Sequence, residues 1–257
     1  MEEMEMIMRP GLCSVTFRRL DPEQIIALAA EAQLEAIEWG GDVHVPAGDV
    51  DRAARIARAT TDAGLAVCSY GSYFHADPGE SITSVLDSAQ ALGADRVRIW
   101  AGRVDSAQAA SEEYARIVAV LRDAAAEASD RRIALALEYH RGTVADGPDA
   151  VLRLLADVAH PALTTYWQPS VGISDDVVLA EFDAIAAHTS ALHVFSWWPQ
   201  AERRRLHERA AMWQRILDVA AALPVPPRDA LLEFLPDDDP ALLTVESATL
   251  RRWLARS

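Results

Sequence analysis

Four segments of this 257-residue chain end in side chains that can move protons or bind a metal ion. Residues 133–140, IALALEYH, form a short apolar run that changes abruptly at Glu138. The change recurs downstream, where TTYWQP contains Gln168, ALHVFSW contains His193 and ALLEFL contains Glu233. A carboxylate or imidazole at the end of an apolar strand is costly to desolvate unless a partner compensates it. We therefore expect these segments to meet around one point.

The four side chains make a plausible set of ligands for one divalent metal ion: Glu138, Gln168, His193 and Glu233. Two carboxylates, an imidazole and an amide oxygen suit Mn²⁺, Mg²⁺, Co²⁺ or Zn²⁺ better than Cu⁺. The ion would also neutralise two glutamates that could not comfortably share a dry site. Taken singly, each glutamate is equally well explained as a salt-bridge partner, and His193 as a hydrogen-bonded core residue. The metal prediction rests on all four lying at matching depth.

The elements that must position these residues alternate along the whole chain. Strands are predicted at residues 11–17, 36–41, 65–73, 96–102, 133–140, 164–169, 191–197 and 230–235. Helices are predicted at about residues 21–34, 49–63, 81–92, 106–129, 148–159, 174–188 and 206–223, and a last helix runs from the eighth strand to Leu254. Asp21 before Pro22 is typical of a helix start, and Gly64 and Gly93 of helix ends.

Strict alternation over this length favours a parallel sheet. We predict an α/β fold with a single (β/α)8 TIM barrel spanning residues 1–257, in which residues 1–8 are a frayed leader. A doubly wound open sheet is the alternative, but the first strand is not followed by the Gly-rich turn typical of that fold.

Composition excludes several classes of function. A net charge of −15 argues against a nucleic-acid partner, which needs a basic surface. No apolar run approaches the roughly 20 residues of a membrane span. The chain has no lysine, which excludes Schiff-base catalysis by lysine and a P-loop. Cys13 and Cys68 lie in strand-like runs and predict buried free thiols in a reducing cytoplasm.

In a barrel of this kind, chemistry takes place at the carboxyl ends of the strands. We predict substrate contacts from the polar and aromatic residues there: Glu38, His44, His75, Arg98, Trp100, His140 and Trp197. An internal ion pair with Glu38 is the alternative for Arg98, and a purely structural hydrogen bond for His44 and His140. Aromatic rings at strand ends suit stacking on the ring of a small molecule, or simply fill the barrel mouth or a subunit contact.

These segments also carry a family resemblance. AIEWGGDVHVP, LALEYH, LHVFSW and LLEF resemble the xylose-isomerase-like barrels, the sugar isomerase and epimerase superfamily that includes inosose dehydratase and endonuclease IV. The resemblance covers nearly all residues from Met8 onward and implies Glu138, His193 and Glu233 as metal ligands. The aspartate of the sixth strand in such enzymes is absent here, because the matching run is Tyr166-Trp167-Gln168-Pro169. Gln168 either takes its place or the site is weakened.

The resemblance implies a metal-dependent isomerase or epimerase of a small sugar or cyclitol, with Glu138 and Glu233 as the acid and base. The metal would polarise a carbonyl and acidify the neighbouring C–H group. Two alternatives stay open: a lyase or dehydratase using the same glutamates, and a metal-free barrel that binds a polyol without turnover. An endonuclease is disfavoured by the acidic charge.

The partner expected from this sequence is a small carbohydrate or cyclitol, without a phosphate group. Nucleic acid and membrane are not expected as partners. Trp197 and Trp198, which follow the seventh predicted strand, are compatible with a homo-oligomer, either a dimer or a tetramer.

Overall fold

The structure, a computed structural model, describes residues 8–225 and 227–255. Within them, eight parallel strands close into one barrel in which β1 pairs with both β2 and β8. The strands are β1 (Arg9–Cys13), β2 (Ala36–Gly40), β3 (Ala66–Gly71), β4 (Arg96–Ile99), β5 (Ala134–Glu138), β6 (Leu163–Trp167), β7 (Thr189–Val194) and β8 (Asp229–Leu232). The predicted single (β/α)8 barrel is confirmed.

A helix follows each strand. The helices are α1 (Pro22–Glu31), α2 (Val50–Asp62), α3 (Thr83–Leu92), α4 (Ser111–Asp130), α5 (Pro148–Val158), α6 (Asp175–Ile185), α7 (Ala210–Ala221) and α8 (Leu243–Leu254). Asp21 caps α1 by accepting a hydrogen bond from the backbone N–H of Gln24, as the Asp-Pro start predicts. Gly93 ends α3 in the left-handed conformation.

Two packed layers hold the barrel together. The larger apolar core lies between strands and helices and takes up the outward residues of each strand, such as Leu135 and Leu137 of β5. A smaller cluster fills the inside of the barrel, and it includes Ala36, Ala136 and Ala191. Because these inward side chains are small, the barrel has room for two buried arginines, Arg96 and Arg98, from β4.

Some predicted boundaries are wrong. The first strand ends at Cys13, and residues 14–17 form a short 3-10 helix instead of continuing the strand to Phe17. The fourth helix begins at Ser111 and not at 106, and residues 206–209 are a 3-10 helix before α7. Strand and helix patterns differ too little at such ends for periodicity to place them.

The predicted leader lies outside the described residues, except for Met8. That side chain is buried in the core and is not part of a frayed end. Both cysteines are free and buried, as predicted. Of the helices that the structure describes, none combines the length and apolar character needed to cross a membrane.

Candidate active site

A cavity of about 520 Å³ opens at the carboxyl ends of the strands. Its size is in the range of small-molecule sites. Seven of the residues predicted from the sequence line it: Arg98, Trp100, Glu138, His140, Gln168, Trp197 and Glu233. The carboxyl ends of β4, β5, β6 and β8 therefore converge on one space, as the sequence pattern indicates.

Arg98 lies between two glutamates at the floor of this cavity. Its Nη1 donates to Glu138 Oε2, and its Nε lies 3.4 Å from Glu38 Oε1. β4 and β5 pair with Arg98 opposite Ala136, so Glu138 is one step further towards the mouth on the same face. Burial alone would lower the pKa of Arg98, but the Glu138 and Glu38 carboxylates outweigh it and raise that pKa. The guanidinium is a permanent charge of the site.

His193 is completely buried just below the cavity floor. Its Nδ1 lies 3.2 Å from Gln168 Oε1 and 3.6 Å from Glu233 Oε2. Its Nε2 lies 3.5 Å from Glu38 Oε1 and has no hydrogen-bond partner in the described part of the chain. Burial would lower the pKa of His193, but Glu233 and Glu38 raise it to about 9. The imidazole is thus surrounded by acceptor atoms on both edges.

Glu233 is buried in the barrel, and it lines the cavity. Burial raises its pKa to about 7, and the neighbouring Glu138 carboxylate acts in the same direction. His193 and Arg98 oppose this shift without cancelling it. A carboxyl group with a pKa near neutrality can both hold and release a proton under physiological conditions.

Glu38 does not line the cavity, so the structure assigns it a supporting place instead of the predicted substrate contact. Ser69 donates a 2.7 Å hydrogen bond to its Oε2. Burial alone would raise the pKa of Glu38, but His193, Arg98 and Ser69 hold it well below its ordinary value. Glu38 is an anion that fixes Arg98 and His193 from below.

His44 also does not line the cavity, although the predicted substrate contact would require it to do so. Ser14 Oγ accepts from the backbone N–H of Gly40 and lies 2.9 Å from His44 Nδ1. The other nitrogen, Nε2, lies 3.3 Å from the carbonyl oxygen of Leu20. This network satisfies a neutral imidazole, with Ser14 donating to Nδ1 and Nε2–H donating to Leu20. Burial accordingly lowers the pKa of His44.

His75 likewise does not line the cavity. Its ring packs against Trp100 at a centroid distance of 5.3 Å, and its Nδ1 lies 3.3 Å from the carbonyl oxygen of Gly102. His75 therefore supports the wall that Trp100 presents to the cavity.

Aromatic rings form two stretches of the cavity wall. On one, Trp100 stacks with Tyr73 at 6.3 Å and contacts His140 at 4.6 Å. On the other, Trp197 packs against Phe195 at 5.0 Å and Phe234 at 5.5 Å. The indole nitrogens of both tryptophans have no hydrogen-bond partner among the described residues. Such a wall offers aromatic faces on which a ring can pack.

Several residues that line the cavity are not predicted from the sequence. These are Arg18, Tyr73, Tyr139, Arg141, Asp146, Ser170, Glu181 and Phe234, among others. Arg18 and Phe234 follow strand ends and could have been found by extending the search a few residues into each loop. Glu181 gives no such signal, because it lies on α6 and reaches the cavity only through the packing of that helix.

A sequence profile of the xylose isomerase-like TIM barrel family matches residues 26–208, more than two thirds of the chain. The chain belongs to this family. Among curated proteins, none matches the sequence significantly.

Solved structures show how widely the barrel of this xylose isomerase-like family is shared. The probable 3-DHS dehydratase AsbF from Bacillus anthracis is 19% identical over 95% of this chain and 99% of its own, with a TM-score of 0.76. A xylose isomerase-like protein from Mycobacterium smegmatis in complex with magnesium is 14% identical over 98% and 99%, with a TM-score of 0.74.

A third similar structure is D-psicose 3-epimerase from Clostridium cellulolyticum H10 with D-tagatose. It is 13% identical over 96% of this chain and 99% of its own, with a TM-score of 0.69. At these identities the comparisons establish the fold.

This xylose isomerase-like barrel presents donors of the right chemistry for a divalent ion. Gln168 Oε1 and Glu233 Oε2 lie 3.2 and 3.6 Å from His193 Nδ1, spacings that suit ligands of a common ion. Glu138, the fourth predicted ligand, is ion-paired with Arg98. Gln168 and Glu233 therefore lie at ligand spacing from His193 Nδ1, whereas the Glu138 carboxylate is held by Arg98.

A second cluster that could hold a metal ion lies deeper in the barrel. Cys13, Glu38 and His193 each offer one ligand atom within 4.8 Å of the others, and all three are buried. This cluster uses the Nε2 edge of the imidazole, whereas the predicted set uses the Nδ1 edge. The two sets share His193 and have no other ligand in common.

Proposed function

We propose that this protein is an isomerase or epimerase of a small sugar or cyclitol, and that it moves a proton on a carbon next to a carbonyl group. The observation that carries the proposal is the position of Glu138 and Glu233. Both carboxylates line the floor of one cavity, and they come from different strands, β5 and the end of β8. A proton can thus be removed by one and supplied by the other.

The two glutamates differ in a way that suits an acid and a base. Glu138 is paired with the Arg98 guanidinium, which stabilises its carboxylate. Among the described residues, Glu233 has no arginine partner, and its nearest charged neighbour is His193 at 3.6 Å; burial raises the pKa of Glu233 to about 7. In this proposal Glu138 takes the proton from carbon, and the carboxyl of Glu233 returns a proton to carbon or oxygen.

The remaining cavity residues bind and orient the substrate. Trp100 and Trp197 supply apolar faces, and they help to exclude water from the reacting carbon. His140 lies against Trp100 within reach of a bound hydroxyl group. A polyol has the alternating C–H faces and hydroxyl groups that this combination recognises.

A divalent ion (Mn²⁺, Mg²⁺, Co²⁺ or Zn²⁺) completes the proposal. Gln168, His193 and Glu233 would hold it, with Glu138 as a fourth ligand after release from Arg98. Bound there, the ion would polarise the substrate carbonyl and acidify the adjacent C–H group. Magnesium is present in the structure of one relative of similar fold.

Solvent deuterium uptake tests this function directly. The purified protein, with Mn²⁺ added, is incubated in D₂O with a panel of unphosphorylated ketoses and cyclitols, and each compound is followed by NMR and mass spectrometry. Uptake at one carbon, together with a new stereoisomer or carbonyl isomer, supports the proposal. Absence of exchange across the panel, with the protein folded, contradicts it.

A lyase that removes water after the same proton abstraction is the second enzymatic reading, and one relative of similar fold is a probable dehydratase. The same experiment separates the two, because a lyase gives a product lighter by one water.

A metal-free barrel that binds a polyol without turnover is the alternative from another class. It is favoured by the Arg98–Glu138 ion pair and by the neutral amide of Gln168 at the place of a charged ligand. Binding of a polyol in calorimetry without deuterium exchange would support this reading over the enzymatic one.

The setting of the protein is part of the proposal. Free buried cysteines and the acidic surface agree with a cytoplasmic protein whose partner is a small molecule and not a nucleic acid. Trp198, which follows the cavity residue Trp197 in the chain, is 41% exposed, and this is compatible with a dimer or tetramer. Light scattering of the purified protein measures the oligomeric state.

A further inference from the structure

Three carboxylates and one guanidinium lie together at the cavity floor and directly beneath it. Glu38, Glu138 and Glu233 all act electrostatically on Arg98, and every one of these side chains is buried. Arg98 is in direct contact with the first two. The chain thus carries its own fixed cation at the place where its family residues would gather around a metal ion.

We propose that Arg98 competes with the divalent ion for Glu138 and thereby sets the metal affinity of the site. The inference rests on the proposed function, because it concerns the same four ligands. In this structure Glu138 is paired with Arg98, while Gln168 and Glu233 lie 3.2 and 3.6 Å from His193 Nδ1. Binding a metal ion with four ligands requires the ion pair to open.

The chemistry of the two residues makes this competition effective. A guanidinium does not lose its proton in proteins, so the positive charge of Arg98 stays when a metal ion approaches. Charges that are buried together interact strongly, since little water screens them. Gln168 adds no negative charge to offset this repulsion, whereas an aspartate at that position would.

Because Glu38 also contacts Arg98, the Arg98–Glu138 pair can open without leaving the buried guanidinium unpaired. When Glu138 turns away, Arg98 keeps Glu38 Oε1 at 3.4 Å. Ser69 and the Nε2 edge of His193 hold Glu38 in place from the other side. Arg98 is therefore a positioning residue. It has two carboxylate partners when Glu138 is paired with it, and one, Glu38, when Glu138 turns to the metal ion.

Mn²⁺ binding to four proteins tests the proposal: the wild type, Arg98→Gln, Arg98→Lys and Arg96→Gln. Arg98→Gln keeps hydrogen-bonding capacity but removes the charge, and Arg98→Lys keeps the charge. Arg96→Gln is the matched control, because Arg96 is also buried inside the barrel but pairs with Asp229, which retains Arg9 as a partner. Affinity is measured by isothermal titration calorimetry and checked by the electron paramagnetic resonance of free Mn²⁺.

We expect Arg98→Gln to bind Mn²⁺ at least about tenfold more tightly than the wild type, since a buried like charge is gone. Arg98→Lys and Arg96→Gln should bind as the wild type does. Thermal unfolding with and without Mn²⁺ gives a second measure, in which Mn²⁺ should stabilise Arg98→Gln most, even if this variant folds poorly without it.

Equal or weaker Mn²⁺ binding by Arg98→Gln would overturn the inference, and the proposed isomerase would still stand if deuterium uptake is observed. An equal gain in Mn²⁺ affinity in Arg96→Gln would also overturn it, because removing any buried positive charge from the barrel would then have the same effect. If none of the four proteins binds Mn²⁺, both the inference and the metal-dependent part of the proposed function fail.

Discussion

Arg98 and Glu138 form an ion pair inside the barrel, where both side chains are less than a tenth exposed. They come from adjacent strands, and their pairing places the guanidinium beside the carboxylate that the proposed reaction uses as its base. A buried pair of this kind contributes little net stability, yet losing one partner is costly. Its presence at the cavity floor is therefore better explained by the chemistry of the site than by stability.

Replacing Glu138 with glutamine should abolish the proposed proton transfer. The amide still accepts a hydrogen bond from Arg98 but cannot take a proton from carbon. We expect deuterium uptake to fall by about 10²–10⁴-fold, the usual contribution of a general base. The rate is measured by NMR on whichever substrate the panel identifies, and circular dichroism confirms the fold.

Glu181→Gln is the matched control for that variant. Glu181 is a glutamate that lines the same cavity, but it accepts a hydrogen bond from Ser170 and is not at the floor. Its replacement should alter binding of the substrate more than the exchange rate at saturation. Activity retained in Glu138→Gln would exclude Glu138 as the base in both enzymatic readings.

Gln168 should decide how tightly the site binds metal. Gln168→Asp adds a negative charge beside His193, so Mn²⁺ affinity should rise by about tenfold or more. Gln168→Ala removes the donor and should weaken binding by a similar factor. Elemental analysis after dialysis against Mn²⁺, followed by calorimetry, measures both. If the three proteins retained the same metal content, Gln168 would not be a ligand.

Gly71 leaves the space that Arg98 and Glu38 need. A Cβ at this position would lie 2.8 Å from Arg98 Nη2 and 2.9 Å from Glu38 Oε1. We expect Gly71→Ala to lower the free energy of unfolding by about 1–3 kcal/mol, as overpacking of a buried site does. Urea unfolding measures the change.

Gly147→Ala serves as the comparison for this glycine. A Cβ there meets nothing within 4 Å, and its φ of −161° is extended backbone that alanine adopts freely. Its stability should stay close to that of the wild type. A loss as large as in Gly71→Ala would show that the effect is not specific to the buried site.

His44 should make the protein less stable in mild acid. Burial lowers its pKa in the folded state, whereas the unfolded chain has the ordinary value of 6.5. As the pH falls below 6.5, the unfolded state binds a proton that the folded state refuses, so the free energy of unfolding decreases. Urea unfolding between pH 7.5 and about 5 should show a smaller decrease for His44→Gln than for the wild type. Equal slopes would contradict the neutral imidazole assigned here.

The position of the candidate site could be predicted because it follows from local pattern. Glu138 and Gln168 each end an apolar run, and in a parallel barrel all such ends lie at one face. His193 is a harder case, since the sequence predicts its approach to the other ligands but not that it lies beneath the cavity floor. Depth along a strand depends on how neighbouring strands shift against each other, and the β6–β7 pair contains such a shift.

The sequence by itself determined the alternation of strands and helices and the strand ends at which polar side chains meet, and it favoured a closed barrel over an open sheet. It determined these because hydrophobic period and helix caps are local properties. The tertiary structure decided which side chains pair. Arg98 pairs with Glu138, and Glu38 contacts Arg98 from beneath the cavity floor. Glu181 lines the cavity from helix α6. Buried charges pair with the groups nearest to them in space, and separation along the chain does not determine which groups these are.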